Sequence, residues 1–542
     1  MISNESAAGP TPSGRSSGAK TSGDTNAVLC LLGVATALFL PALKGYWLAD
    51  DFSWVGQFSR YPWSGVPRLF AGDWSRAISQ EYRPLWAVSF MIDLKLWGLH
   101  PIALHLTNLG LHLVACLLVW YLTATASRGD RVAALLALAF FAVAPVHAEA
   151  VAWISARGHI LAPIFVMAAM VLLRRYEEIG RSRIYLGAVG CALAAFATQE
   201  VAVALPPLLL FGDLLDPPRR ERRGIRRIAI LHAPFWAILA GYLGFRYLRF
   251  GMLGRPGSFA SLRGLVFEQL KGLKNVWLSP IRAIGASGSA FEAAVALLTA
   301  FVLVAALASA PAQSRSELAR RLLFFGGLWP LVATAVLLGA GSPRHLYLAS
   351  VGVAVALGLA GSQLWAQRPW FARAGSLGIG SLVAISAFGL AVSVAAYARS
   401  GRLSRSLARE IDRTLEAAER DPRAITVIVA DYPERSVVFW DYFFPESLEP
   451  PFRSRRPPPG ILPSFAPCHC PPEEWKTKHA VTLARLEAAD TSTVRVVIWD
   501  AWRSEFVSRA LTAGEFWQGG YAAPDGPLLR PLWPGSPAPV LP

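Results

Sequence analysis

The sequence predicts an α-helical polytopic membrane protein of about eleven transmembrane helices, ending in a small α/β or β-rich exterior domain. Three observations predict it. Of 542 residues, 54% are apolar and 16% charged, where a soluble chain runs nearer a quarter charged. The apolar residues gather into blocks of about 17 to 25, the length that crosses roughly 30 Å of hydrocarbon at about 1.5 Å per residue. Arginines concentrate in alternate loops between the blocks, the asymmetry of the positive-inside rule. This composition excludes a disordered chain and an ordinary soluble enzyme. The balance of 52 Lys+Arg against 36 Asp+Glu, net +16, follows from loop topology, so no nucleic-acid partner is expected.

Residues 1–26, rich in Ser, Gly, Thr and Ala, read as a disordered cytoplasmic tail. Ala27 to Leu43 is a first span, too long for a signal-peptide core and without a clear cleavage site. Ten more spans follow, at about 101–124, 131–146, 160–173, 183–199, 200–215, 227–249, 290–310, 321–340, 346–366 and 374–397. With the amino terminus cytoplasmic, the loops SRGDR, RRYEEIGRSR, DPPRRERRGIRR, SRSELARR and QRPWFAR lie inside, each with two or more Arg. The short outside loops HAEAVAWISARGH and GAGSPRH carry one Arg each. Eleven spans place the carboxyl terminus outside.

Two long exterior loops, 46–100 and 250–289, complete the membrane unit of 27–399. The first holds LWAVSFMIDLKLWG, too short to span and suited to the membrane surface; the second interleaves Arg255, Arg263, Lys271, Lys274 and Arg282 with aromatics. Residues 400–542 form the exterior domain: 404–420 has helical composition, whereas ITVIVAD, SVVFWDYFF and RVVIWD read as strands around a proline-rich connector. Cys30, Cys116 and Cys191 lie in apolar blocks as fillers, and Cys468 and Cys470 in the string CHC read as structural.

The strongest polar signal is Asp50-Asp51 in YWLADDFSW. Adjacent carboxylates between aromatic residues at a membrane surface favour a raised pKa suited to proton abstraction. A solvated loop pair or a helix cap is the alternative. Asp93 precedes His105, Asn108 and His112, which share one helical face. No HExxH-like spacing occurs, so interhelical hydrogen bonding is expected rather than metal ligation. In the next exterior loop Glu149 and Arg157 are a candidate structural pair, and Gln199-Glu200 sits between two spans. SPRHLYLAS puts Arg344, His345 and Tyr347 at the exterior mouth of a span, as a clamp for a lipid phosphate or an interfacial anchor.

Together these strings resemble the C-type membrane glycosyltransferases, in the protein O-mannosyltransferase-like branch that includes the eukaryotic transmembrane O-mannosyltransferases with TPR repeats. The resemblance rests on the acidic pair, then YRPL with Asp93 and Trp97-Gly98, then His105, Asn108 and His112, then HAEAVAWISAR, TQEVAVALPPLLLFGDLL and RHLYLASVG, over about residues 27–397. Gly158-His159 stands where relatives often have an acidic residue, Ala349 replaces a common proline, and no TPR repeats follow.

The resemblance implies a polyprenyl-phosphate sugar donor, transfer with inversion on the exterior face, and Asp50 or Asp51 as general base. It implies donor-phosphate binding by Arg344, Tyr347, Arg157 and Arg83, with Lys274 and Arg282 as further candidates. Glu149, Asp93, His105 and Asn108 then stand on the acceptor side or behind the reacting groups. The expected partners are the lipid-linked donor, membrane lipids and a protein, lipid or glycan acceptor. No cofactor is specified, and assistance by a divalent metal is left open. The expected setting is a bacterial inner membrane with the carboxyl-terminal domain periplasmic. A lipid-linked sugar flippase is the competing class, but neither inverted repeats nor interrupted helices at the midplane are legible; a non-catalytic membrane scaffold is the third.

Overall fold

A computed structural model of the chain describes residues 17–72, 81–251, 262–279, 289–335, 342–367, 370–420, 425–428, 450–453, 461–462, 494–500, 505–512 and 515. The membrane part is helical. Its early elements are α1 (Ser17–Leu43), α2 (Asp51–Ser59), α3 (Val66–Phe70), α4 (Pro84–Trp97), α5 (Pro101–Ala126), α6 (Arg131–Ala142) and α7 (His147–Ala152). Then come α8 (Gly158–Ile179), α9 (Ser182–Phe196), α10 (Leu205–Leu214), α11 (Pro217–Phe250) and α12 (Leu262–Trp277). The last are α13 (Ala290–Ser309), α14 (Ala312–Leu322), α15 (Trp329–Ala335), α16 (Tyr347–Trp365) and α17 (Trp370–Arg420).

Among the described residues, seven helices are long and apolar enough to cross a membrane. The other four stretches drawn as spans are helices of 12 residues (α6), 15 (α9) and 10 (α10), and a pair of 11 and 7 (α14, α15) joined by a π-helical turn. Three of them are cut where the sequence supplies a break: Pro145 after α6, Gln199 in an extended conformation after α9, and Asp216-Pro217 after α10.

The helix α16 is the centre of the bundle, buried along nearly its whole length. Its small residues allow this. A side chain on Gly358 would meet the Ala133 carbonyl and Ala137 of α6, so the two backbones close to contact distance only with glycine there.

Polar contacts sort to two ends. Arg131 pairs with Asp24 at 2.5 Å, Arg128 with Glu317 at 3.0 Å, and Ser362 donates to Asp130, so the arginine-bearing loops meet at one end. The Asp50-Asp51 loop, the 153–157 turn, Gln199 and Arg344 meet at the other. The segment LWAVSFMIDLKLWG is the helix α4, as its composition anticipates.

Two boundaries differ from expectation. The helix α1 starts at Ser17, reaching back into the stretch taken as tail, because extending an existing helix needs no new nucleus, and it runs on through Gly18 and Gly23. At the other end no break occurs at 399. The last span and the 404–420 helix are one 51-residue helix that runs on through Gly401, at a propensity cost of about 1 kcal/mol there. Beyond it, β1 (Ile425–Ile428), β2 (Ile461–Leu462), β3 (Val494–Asp500) and β4 (Glu505–Leu511) form a sheet in the order β2-β1-β3-β4. The strand β1 is parallel to both neighbours, and β3–β4 is an antiparallel pair. SVVFWDYFF and the CHC string lie outside the described residues. Cys30, Cys116 and Cys191 are free thiols, and only Cys116 is buried.

Candidate active site

The site begins where the chain leaves α1. The backbone turns at Ala49, whose φ of 44° is a left-handed conformation that a Cβ disfavours. Asp51 holds this turn. Its Oδ2 accepts the Leu48 N–H at 2.9 Å, and its Oδ1 accepts the Ser155 N–H at 2.8 Å from the turn before α8. Asp51 is fully buried, with both oxygens committed to backbone.

Asp50 differs. Its Oδ1 accepts the Ser155 hydroxyl at 2.5 Å and its Oδ2 accepts Trp54 Nε1–H at 3.1 Å, while part of its surface stays open. Ser155 therefore joins both acids through two different atoms. Burial raises both carboxyls above the usual range. For Asp51 the charge of Asp50 adds to burial and lifts it to about 8 against the two N–H bonds. For Asp50 the Ser155 and Trp54 bonds and the Arg344 charge oppose the rise, and Glu81 adds to it. Two interacting acids of this kind titrate as a pair.

Below the loop lies a sealed layer. Arg157 is fully buried and pairs with Asp93 at 2.7 Å, donates to the Ser89 carbonyl at 3.2 Å and stacks 4.2 Å from the Phe90 ring centre. Asn108 Nδ2 donates to the Trp153 and Ile154 carbonyls, so α5 props the same turn that presents Ser155. His112 Nδ1 and Tyr347 Oη share a 2.7 Å bond, and His147 Nε2 meets Ser350 Oγ at 2.8 Å. His105, Asn108 and His112 do share a face. They meet protein rather than a hollow: each is at most 1% exposed, and His105 lies against Gly45.

Above the loop, Arg344 and Arg83 keep part of their side chains exposed, whereas Glu149, Gln199 and His159 are buried. Arg344 pairs with Glu149, whose carboxylate also takes the Ser342 hydroxyl and the Arg344 N–H, and the guanidinium lies 4.5 Å from the Trp153 ring centre with 24% of the side chain exposed. Arg83 forks to Glu200 at 2.9 and 3.1 Å and reaches Glu81 at 2.9 Å. Burial disfavours the Arg83 charge, but Glu200 and Glu81 outweigh it and hold the guanidinium above the usual arginine range. His159 lies on Gln199 Nε2 at 2.9 Å and edge-on to His345, with ring centres 4.8 Å apart.

Several sequence expectations are corrected here. Glu149 does not pair with Arg157; the eight-residue spacing suggested it, but Glu149 goes to Arg344 and Arg157 to Asp93. Arg157 and Tyr347, expected at a phosphate, are sealed inside the protein by burial and by their own partners. Lys274 pairs with Glu292 at 2.7 Å, apart from the acid loop. Arg282 and Arg255 lie outside the described residues. Ser155 and Ser342 were not singled out for the site, although the hydroxyl of Ser155 within the apolar run AVAWISA was a usable signal. Among the described residues no three His, Cys, Asp or Glu side chains gather to hold a metal ion.

No family model matches the chain. Curated proteins do. A protein O-mannosyl-transferase of Caenorhabditis elegans is 26% identical over 286 residues, 50% of this chain and 38% of that protein. The Tmtc1 enzyme of Drosophila melanogaster is 35% identical over 143 residues, 26% of this chain and 16% of its own length. Human protein O-mannosyl-transferase TMTC3 is 30% identical over 155 residues, 27% and 17% of the two lengths. The chain thus spans well under half the length of the curated relatives it matches, and it is a distant relative of the protein O-mannosyl-transferases, as its motifs anticipate. Among solved structures, ArnT from Cupriavidus metallidurans bound to undecaprenyl phosphate aligns over 90% of this chain and 98% of its own at 13% identity, TM-score 0.44. The mycobacterial arabinofuranosyltransferase AftD aligns over 86% and 35% at 14% identity, TM-score 0.44.

Proposed function

We propose that this chain is an integral-membrane glycosyltransferase that moves a sugar, mannose in the first instance, from a polyprenyl-phosphate donor to an acceptor hydroxyl with inversion at the anomeric carbon. Asp50 is the base. It takes the acceptor's hydroxyl proton, the acceptor oxygen forms the bond to the anomeric carbon, and the bond from that carbon to the phosphate oxygen breaks, with the electron pair leaving on the lipid phosphate. A positioned base of this kind contributes about 10² to 10⁴-fold. One observation carries the proposal: of two adjacent acids, Asp51 spends both oxygens on backbone N–H groups, whereas Asp50 is held by Ser155 and Trp54 yet keeps open surface.

Arg344 stands on the open side and acts on Asp50 electrostatically. It is the cation best placed for the departing phosphate, whose oxygens a guanidinium can fork. Arg83, shared between two carboxylates, orders the neighbouring wall. Asp93, His105 and Asn108 support the loop from behind. Counting the four shorter helical stretches with the seven long ones gives eleven crossings. The arginine-rich end is then cytoplasmic, and the acid loop and the sheet are on the periplasmic face of a bacterial inner membrane. The acceptor is a protein hydroxyl, a lipid or a glycan.

The test is transfer by the full chain reconstituted in proteoliposomes, with radiolabelled polyprenyl-phosphate mannose as donor and serine/threonine peptides or extracted envelope material as acceptors. Label should enter an acceptor with the wild type and not with Asp50→Asn, while undecaprenyl phosphate still binds the variant. Equal labelling by Asp50→Asn, or none by the folded wild type, would overturn the proposal.

A further inference from the structure

Two backbones and a histidine ring meet beside the acid loop with no room between them. A Cβ on Gly401 of α17 would fall 2.8 Å from the Gly45 Cα, and one on Gly45 would fall 2.8 Å from His105 Nε2 of α5. From this crossing α17 takes the carbonyls of the segment leading to the acids. Ser404 Oγ donates to the Trp47 carbonyl at 2.6 Å, and Arg405 donates to the Gly45 and Lys44 carbonyls at 3.0 and 3.2 Å.

One turn further on, Phe452 meets Phe52 and Trp47 edge-on at ring-centre distances of 5.0 and 5.8 Å. Its neighbour Arg453 is pinned to α17 through Asp412 at 2.5 Å and the Ala408 carbonyl at 3.2 Å. Trp47, Phe52 and Val55 share one apolar core with Leu403, Leu407 and Ile411 of α17 and with Val497 and Phe506 of the sheet.

We infer that the exterior end of α17 and Phe452 are positioning elements for Asp50, so that the carboxyl-terminal domain sets the geometry of the base as well as any choice of acceptor. This rests on the proposed role of Asp50 as base. Asp50 is two residues from Leu48 and three from Trp47; the loop is also held by Trp153 Nε1 on the Leu48 carbonyl, by Asp51 on the Leu48 N–H, and by the Ser155 turn with Trp54. If α17 releases the Trp47 carbonyl, the loop keeps these contacts but loses the α17 bond nearest the acids. Misplacing a reacting group by about 1 Å costs on the order of 10²-fold in rate.

Ser404→Ala and Phe452→Ala in the full reconstituted chain test it, with Phe452→Leu as the conservative control and the polyprenyl-phosphate mannose assay as one readout. The expected result is kcat reduced by about 10- to 100-fold with donor KM within about twofold of wild type, faster amide exchange over residues 46–55 with α16 still protected, and recovery in Phe452→Leu. Unchanged exchange over 46–55 in both alanine variants, or a loss expressed in KM with kcat intact, would overturn it. Should the wild type transfer nothing from this donor, the proposed function fails, and amide exchange with an infrared titration of the Asp50 carboxyl still decides the positioning claim: a displaced titration in Phe452→Ala supports it and an unmoved one sinks it. Ser404→Ala removes a single hydroxyl, which keeps the test open if Phe452→Ala does not fold.

Discussion

Arg157 and Arg344 occupy two layers of one site and show how far identical side chains can diverge. Each meets one carboxylate and each lies over an aromatic ring, at 4.2 Å and 4.5 Å. Arg157, with none of its side chain exposed, has spent its charge inside the protein; Arg344, 24% exposed, keeps part of its side chain open. A cation able to take a lipid phosphate is therefore identified by what remains open after its partner is counted, since removing one member of a sealed pair leaves a bare charge in a low dielectric.

The comparison can be broken at five points. The largest effect is expected between the layers: Asp50→Asn should cut sugar transfer by about 10² to 10⁴-fold with the unfolding temperature little changed, read by transfer assay and thermal unfolding together. In the sealed layer, Arg157→Met strands Asp93 and should cost about 3–5 kcal/mol of stability, seen as failure to accumulate in membranes or a large drop in unfolding temperature. Introducing Asp93→Leu with it should recover much of that loss.

In the open layer, Arg344→Gln should leave folding within about 1 kcal/mol and weaken undecaprenyl phosphate binding by about tenfold or more, the value of a charge-assisted hydrogen bond. Equal destabilisation by the Arg157 and Arg344 variants would erase the distinction between the layers. Ser155→Ala removes the hydroxyl bond that favours the charged form of Asp50, so the acid limb of the pH–rate profile should move to higher pH, with a several-fold loss in rate below neutrality, on the order of 1 kcal/mol.

The last effect is on the pH dependence of stability. Burial and the charge of Asp50 push the Asp51 carboxyl up to about 8 in the folded chain, against about 3.9 unfolded. The folded state therefore holds a proton that the unfolded state has released, and this contribution is full below pH 4 and lost as pH rises towards 8. Thermal unfolding should weaken over that window in the wild type, and the slope should flatten in Asp51→Asn.

The membrane character, the long spans, the acid pair and the short segment that became α4 were legible because each is written in a local run of composition or period. The partnerships were not. Asp93 and Arg157 are 64 positions apart, whereas Glu149 and Arg157 are neighbours in sequence, so local spacing favoured the pair that does not form. Nor does a sequence say which of two adjacent acids is consumed by backbone N–H groups. That depends on the Ala49 turn and on where α8 begins. The unbroken α17 was missed because the change of composition near 399 marks a change of surroundings, and a helix passes through such a change without ending.

That helix has a further consequence. At about 1.5 Å per residue its 51 residues form a rod of about 75 Å, twice the apolar thickness of a bilayer and more. It works as a gauge: one half is graded by lipid, the other half is clasped at Gly401 and Ser404. Thickening or thinning the bilayer tilts such a rod, and a tilt of this helix is felt at the clasp, so membrane thickness reaches the segment that leads to the acid pair.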